Sequence, residues 1–221
     1  MALPAPARLF QDQRFVVIDK PPGLPVHAGP SGGPSVEDVF AQFSGRKDGP
    51  WLAHRLDAST SGCLVIALRK AALIAAQALF ASGSVRKTYW AVVEGAVNAT
   101  DGTVSAPLRK ITDRTGWRMV ADPGSAQPAI TDWRVLGNGG GLTWLELRPR
   151  TGRTHQIRVH CAMLGTPILG DERYGTGGGG LHLLARAIHL PLDPPVDATA
   201  RPPPHMLAAL TQCGFATRKV R

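Results

Sequence analysis

The stretch His54-Arg55-Leu56-Asp57-Ala58-Ser59-Thr60-Ser61-Gly62 constrains this chain more than any other. It places a carboxylate two residues after a cation, follows it with a Ser/Thr/Ser/Gly turn, and runs straight into the apolar residues 63–68 (CLVIAL). Such an aspartate can serve simply to accept backbone N–H groups and tie a loop to a strand. The neighbouring His54 and Arg55, and further polar motifs later in the chain, give it a second reading as a reactive group.

Short apolar runs cut by turn signals continue in both directions. Residues 14–19 (RFVVID) read as a strand stopped by Pro21-Pro22-Gly23. Lys20 precedes a proline and is biased towards extended backbone, which fixes the loop carrying His27. Residues 29–34 read as a Gly/Pro/Ser-rich loop. Ser35 then opens a helical pattern, with Val36, Val39, Phe40 and Phe43 on one face and Glu37-Asp38 in the first turn. After the buried strand at 63–68, residues 71–81 read as an Ala/Leu-rich helix ended by Ser82-Gly83-Ser84. Residues 87–94 (KTYWAVVE) form a strand, and residues 101–121, with Arg109, Lys110, Arg114 and Arg118, a basic hairpin or loop. The runs 131–136 and 143–147 flank Gly137 to Gly141, a hairpin signal. Residues 155–164 read as a helix with Ile157, Cys161 and Leu164 on one face, and the glycines of 176–180 as a flexible loop. Residues 181–190 read as a last core strand. With no internal repeat and no clean linker, one domain is expected over 1–221. Its core lies at about 14–190, and a proline-rich surface return and basic tail follow at 191–221.

Charge narrows the partners. Lys plus Arg number 25 against 16 for Asp plus Glu, a net +9 that points to a polyanion, with RNA the leading candidate. A hydrophobic content of 43% fits a globular chain rather than a disordered one. Cys63, Cys161 and Cys213 are odd in number and far apart, which argues against a disulfide framework or zinc ribbon and makes Cys63 and Cys161 small core residues. Residues 1–10 lack the apolar core of a signal peptide, and the longest apolar region, 63–81, is broken by Arg69-Lys70, so no membrane span and a reducing cytoplasm are expected.

Four motifs in order resemble those of the RluA-type RNA pseudouridine synthase family. His54 to Gly62 resembles its HRLD-x-x-TSG signature, Asp19-Lys20-Pro21-Pro22-Gly23 to His27 its N-terminal motif, and Lys87-Thr88-Tyr89 its K-x-Y segment. Arg150-Thr151-Gly152-Arg153-Thr154-His155-Gln156-Ile157-Arg158-Val159-His160, with Gly170-Asp171-Glu172-Arg173-Tyr174-Gly175, resembles its C-terminal motif. Asp19 departs from the asparagine frequent there, and Arg69-Lys70 from the residues common after the strand. The resemblance implies an α+β (mixed α/β) pseudouridine synthase fold, with a central, mostly antiparallel sheet, flanking helices and a central RNA-binding cleft. It also implies a single-domain member, because a first strand near residue 15 leaves no room for an S4-type domain. The expected activity is conversion of uridine to pseudouridine in ribosomal or transfer RNA stem-loops. No cofactor, metal or obligate protein partner is expected, and the chain is expected to be monomeric.

The chemistry suits the residues. Isomerisation breaks an N-glycosidic bond and rejoins the base through carbon, a task for a carboxylate near the anomeric carbon with water excluded. Asp57 is the candidate, and matches the family's catalytic aspartate. A nearby cation would keep it ionised, lowering its pKa by ~1–3 units. By the resemblance Arg158 is that cation, with Arg153 as competitor. Tyr89 matches a tyrosine lying against the target base, a contact worth about 1–3 kcal/mol, and its hydroxyl suits a proton shuttle. By strand alternation its neighbour Trp90 belongs to the core. Arg55 matches the residue that fills the space left by the flipped nucleotide. Ile157 is expected against the uracil, and His54, Arg153, Lys87 and His27 among the substrate contacts. His155 and His160 have no zinc-binding spacing and read as structural or phosphate contacts. Two other classes fit the residues less well. A pure RNA-binding module would not need Asp57, Tyr89 and Arg158 together, and a nucleoside hydrolase or glycosidase would want a second acid and leave the +9 charge unexplained.

Overall fold

The computed structural model describes residues 4–29, 32–46, 48–114 and 116–216. The expected basic end (Arg218, Lys219, Arg221) lies outside them, as do parts of the 29–34 loop. In chain order the elements are strands β1 (Arg8–Gln11) and β2 (Phe15–Lys20), a 3-10 helix (Val36–Gln42), β3 (Trp51–Leu52), β4 (Ser61–Ala67) and helix α1 (Lys70–Ala81). Then follow β5 (Arg86–Glu94), β6 (Asp101–Ser105), β7 (Leu108–Asp113), β8 (Gly116–Ala121), β9 (Ile130–Gly139), β10 (Leu142–Pro149) and α2 (Gln156–Met163). Last come β11 (Leu183–Leu190), β12 (Val196–Thr199) and α3 (Pro204–Gln212). This is the α+β composition expected. No helix among the described residues is long and apolar enough to cross a membrane.

The chain folds as two compact units, each assembled from two separated segments: 1–87 with 184–202, and 88–183 with 203–221. In the first, β4 is the central strand. It pairs antiparallel with β2 and β3, and parallel with β11 through Leu184↔Ser61 and Ala185↔Gly62. β1 lies outside β2, and β12 outside β11. All seven residues of β4 are buried, Ser61 among them, as the apolar run from Cys63 onward requires. Gly62 holds a positive φ of 104°, and a Cβ there would run into the Ala185 carbonyl, so the parallel pair closes only over a glycine. The helical pattern after Ser35 is realised as a 3-10 helix, whose Ser35 N–H donates to the Asp38 carboxylate (2.7 Å).

In the second unit β10 pairs antiparallel with β5 and β9, and β6 extends the ladder beside β9. β7 and β8 form a separate antiparallel hairpin. Helix α2 buries Ile157 and Cys161 against Ala91, Val93, Leu145, Leu147 and Ile168, with Leu164 at the rim, the face its spacing predicts.

Two expectations need correction. Gly137 to Gly139 belong to β9 and not to the turn, because the carbonyls of Gln212 and Cys213 occupy the space their side chains would fill. Residues 191–212 are more than a surface return: β12 pairs along β11, and α3 buries Met206, Ala209 and Leu210. Pro204 at the first helical position suits a helix start, since its missing N–H would have no partner there anyway.

Candidate active site

In the first unit the Asp57 loop is held by a buried lysine. Lys20, at the end of β2 opposite Gly62, has no solvent exposure. Its ammonium donates to the carbonyls of Pro21 (2.9 Å), Leu24 (2.8 Å) and Ala58 (2.9 Å). Gly23 N–H donates to the same Ala58 carbonyl (2.9 Å), and Thr60 N–H closes the turn onto the Asp57 carbonyl (3.1 Å). The Pro21–Leu24 loop and the Asp57–Thr60 turn are thus fastened at one point, one residue from Asp57. Burial pushes the Lys20 pKa down to about 7, against the opposite pull of the Asp57 charge. Nothing in the letters marks this role beyond a lysine between a strand and Pro-Pro-Gly, and the sequence reading missed it.

His54 supports the same loop. Its Nε2 accepts the Val65 N–H (2.9 Å), and its ring lies 4.9 Å from that of Phe80. Burial and the nearby Lys87 charge push its pKa down to about 4, so it is neutral and fixed in one tautomer. It is a strut of the loop by these bonds. Arg55 and His27 are exposed, His27 with Glu37 3.0 Å away. Burial also lowers the Lys87 pKa.

In the second unit Tyr89, opposite Leu147 across β5 and β10, packs against the core cluster that contains Ile157. Trp90 points to the other face as alternation requires, edge-on to Trp144 (4.7 Å) and Phe215 (5.7 Å). Helix α2 carries Arg158, which is buried and forms a fork with Asp171: Nε to Oδ2 and Nη2 to Oδ1, both 2.7 Å. Burial raises the Asp171 pKa, but Arg158 and the N–H groups of Arg173 and Tyr174 outweigh it and hold the carboxyl below its usual range. Arg153 is exposed and donates to the Pro128 carbonyl (3.1 Å).

Gln156 secures the loop before α2. Its Oε1 accepts from Thr151 Oγ1 (2.7 Å) and Arg153 N–H (3.0 Å), and its Nε2 donates to Ile130 O (3.0 Å) and Thr131 Oγ1 (2.9 Å). His160 is buried with Nδ1 2.9 Å from Thr131 Oγ1, a structural contact as read. His155 meets the Tyr174 hydroxyl at 2.9 Å. Asp171 and Tyr174 lie within the C-terminal motif, yet their roles were not legible, because Arg158 stands on α2 and Met119 on β8.

The arrangement offers a carboxylate on a tightly fastened turn in one unit, and in the other a half-buried tyrosine beside Ile157 and a buried, forked arginine. Comparison with known proteins identifies the family. The profile of the RNA pseudouridylate synthase family matches residues 14–163. An uncharacterised RNA pseudouridine synthase of Zymomonas mobilis is 43% identical over 171 residues, covering 76% of this chain and 78% of the relative. The mitochondrial RNA pseudouridine synthase 4 of Arabidopsis thaliana is 41% identical over 192 residues, 76% of this chain and 40% of that longer protein. Among solved structures, human RNA pseudouridylate synthase domain containing 4 superimposes with a TM-score of 0.79 at 30% identity, covering 95% of this chain and 94% of that one. The chain belongs to the RNA pseudouridylate synthase family, of the RluA type, and is an RNA-modifying isomerase.

Proposed function

We propose that this enzyme isomerises specific uridines of ribosomal or transfer RNA in the cytoplasm, with Asp57 as nucleophile and the target base flipped out of its helix. The Asp57 carboxylate attacks C1′ of the ribose, and the N1–C1′ bond breaks with its electrons passing to the uracil. The freed uracil turns, C5 bonds to C1′, Asp57 departs as the carboxylate, the C5 proton is lost and N1 takes up a proton. Tyr89 stacks on the base and shuttles a proton, Ile157 packs against the uracil, and Arg55 fills the gap left by the extruded nucleotide. His27, Lys87 and Arg153 contact the RNA. Arg158 is the cation for Asp57 in this reading, with Arg153 as the competitor.

The observation that carries the reading is the fastening of the Asp57 turn by buried Lys20, which holds the main chain beside the carboxylate at a fixed place. The test uses ribosomal and transfer RNA transcripts with tritium at uridine C5. Native chain is expected to release tritium from at least one transcript, and Asp57→Ala to release none while still binding that RNA. Release that persists in Asp57→Ala would overturn the assignment of the nucleophile.

A further inference from the structure

Trp117, on β8, gathers groups from three segments. Its ring stacks on His155 with centroids 4.9 Å apart and planes at 29°. Lys110 Nζ, from β7, lies 4.9 Å from its centroid, and the Arg173 guanidinium, from the turn after Asp171, lies at 4.9 Å too. Arg173 Nη1 also donates to the Trp117 carbonyl. Both cations are exposed, and among the described residues neither has a carboxylate partner.

Two like charges on one ring repel each other, and a cation–π contact at an exposed site returns only about 0.5–1 kcal/mol. The ring itself is held firmly. His155 is the one residue other than glycine with a positive φ (53°) among the described residues, a conformation costing roughly 1–2 kcal/mol. It is kept there by Trp117 and by the Tyr174 hydroxyl, which accepts the Met119 N–H (2.9 Å). Strain held at one place, a fixed aromatic surface and two cations at the same ring without a carboxylate partner are the elements of a pre-formed anion site.

We propose that Lys110 and Arg173, gathered over Trp117, hold one phosphate of the RNA backbone outside the modified nucleotide. This rests on the RNA-modifying reading above and adds the place where the chain grips flanking RNA. The grip is linked to the catalytic arginine within the second unit: the N–H groups of Arg173 and Tyr174 bond the same Asp171 carboxylate that forks with Arg158. Phosphate bound at the hairpin therefore sets the register of the RNA against a fixed Arg158.

The test measures the affinity of a responsive RNA transcript over a range of salt for the unaltered full chain, for Lys110→Gln/Arg173→Gln, and for Trp117→Leu. Loss of one phosphate contact makes the plot of log affinity against log salt shallower by about 0.7 for single-stranded RNA. The double variant is expected to show that change, and Trp117→Leu to bind several-fold more weakly although it keeps both charges. General electrostatic steering would not respond to Trp117→Leu. An unchanged slope in the double variant, or native-like binding by a folded Trp117→Leu, overturns the phosphate site. Should Trp117→Leu fail to fold, the double variant decides, since both its residues are exposed. Tritium release by the unaltered chain, with these variants unaffected in binding, would sink this site alone. No release and no binding by the unaltered chain would sink the parent reading with it.

Discussion

Lys20 carries its amine to the base of the Asp57 turn with no solvent exposure. Lysine is among the residues least often fully buried, so beside Pro-Pro-Gly it reads as a surface cation. Its partners are three main-chain carbonyls, which no letter encodes. Replacing it by methionine keeps the stem but takes the donor from the Pro21 and Leu24 carbonyls, while the Ala58 carbonyl keeps the Gly23 N–H, at about 1–3 kcal/mol for each unpaired carbonyl that stays buried. Lys20→Met is expected to lose at least about 2 kcal/mol of unfolding free energy in a urea titration, and to release tritium more slowly through the loosened Asp57 turn. Asp57 itself was legible because its whole neighbourhood is a contiguous motif. His54 was named from the same motif, but its bond to Val65 ties it to the scaffold. Its folded pKa, about 4, lies below its ordinary value of 6.5. Between these values the unfolded chain binds the proton and the folded chain does not, so stability falls as pH drops from about 6.5 towards 4. His54 alone contributes up to about 1.4 kcal/mol per pH unit in that window. His54→Gln, whose amide oxygen can still accept the Val65 N–H, is expected to flatten this part of the stability curve, as measured by denaturant midpoints at pH 4.5 and 6.5.

At the scale of elements, periodicity located most of the fold and long-range contacts supplied the rest. The strands at 63–68 and 87–94 and the helices at 71–81 and 155–164 were read within one or two residues of β4, β5, α1 and α2. β1 was missed because four residues with mixed burial carry no period. α3 was missed because Pro202 to Pro204 read as loop, although proline suits a helix start. The ends of β9 were misjudged because the reason for its glycines lies on α3, more than seventy residues later. Helix α2 has the sharpest consequence for function. Its arginine is fixed by the Asp171 fork, with side-chain exposures of 9% and 0%. Removing one member of a buried pair strands the other charge, at about 3–5 kcal/mol. Asp171→Ala is expected to lose stability on that scale, seen by chemical denaturation, and to cut tritium release more than RNA binding. Arg158→Lys keeps the charge but not the fork, and is expected to lower kcat with little change in KM.

For the whole molecule, the sequence indicated one domain and the structure divides the chain into two compact units. The division is hard to read because it follows no linker: each unit takes one long segment and one short, distant one. This makes a clear prediction for a chain ended after Pro202. It keeps every residue of the first unit and loses Met206, Ala209, Leu210 and Phe215 from the second. Of the five tryptophans, Trp51 belongs to the first unit and Trp90, Trp117, Trp133 and Trp144 to the second. Indole fluorescence of the shortened chain is therefore expected to change at lower denaturant than its far-UV circular dichroism.

The interleaving also sets an order of events on the ribosome. β4 is made early, yet its parallel neighbour β11 follows more than a hundred residues later, after most of the second unit has emerged. Until then the Ser61–Gly62 end of β4 lacks its β11 partner, an open edge at which a nascent strand is exposed to wrong pairing. A message cut short anywhere before residue 184 would thus yield a chain with neither unit complete, a product for quality-control proteases rather than a partly working enzyme.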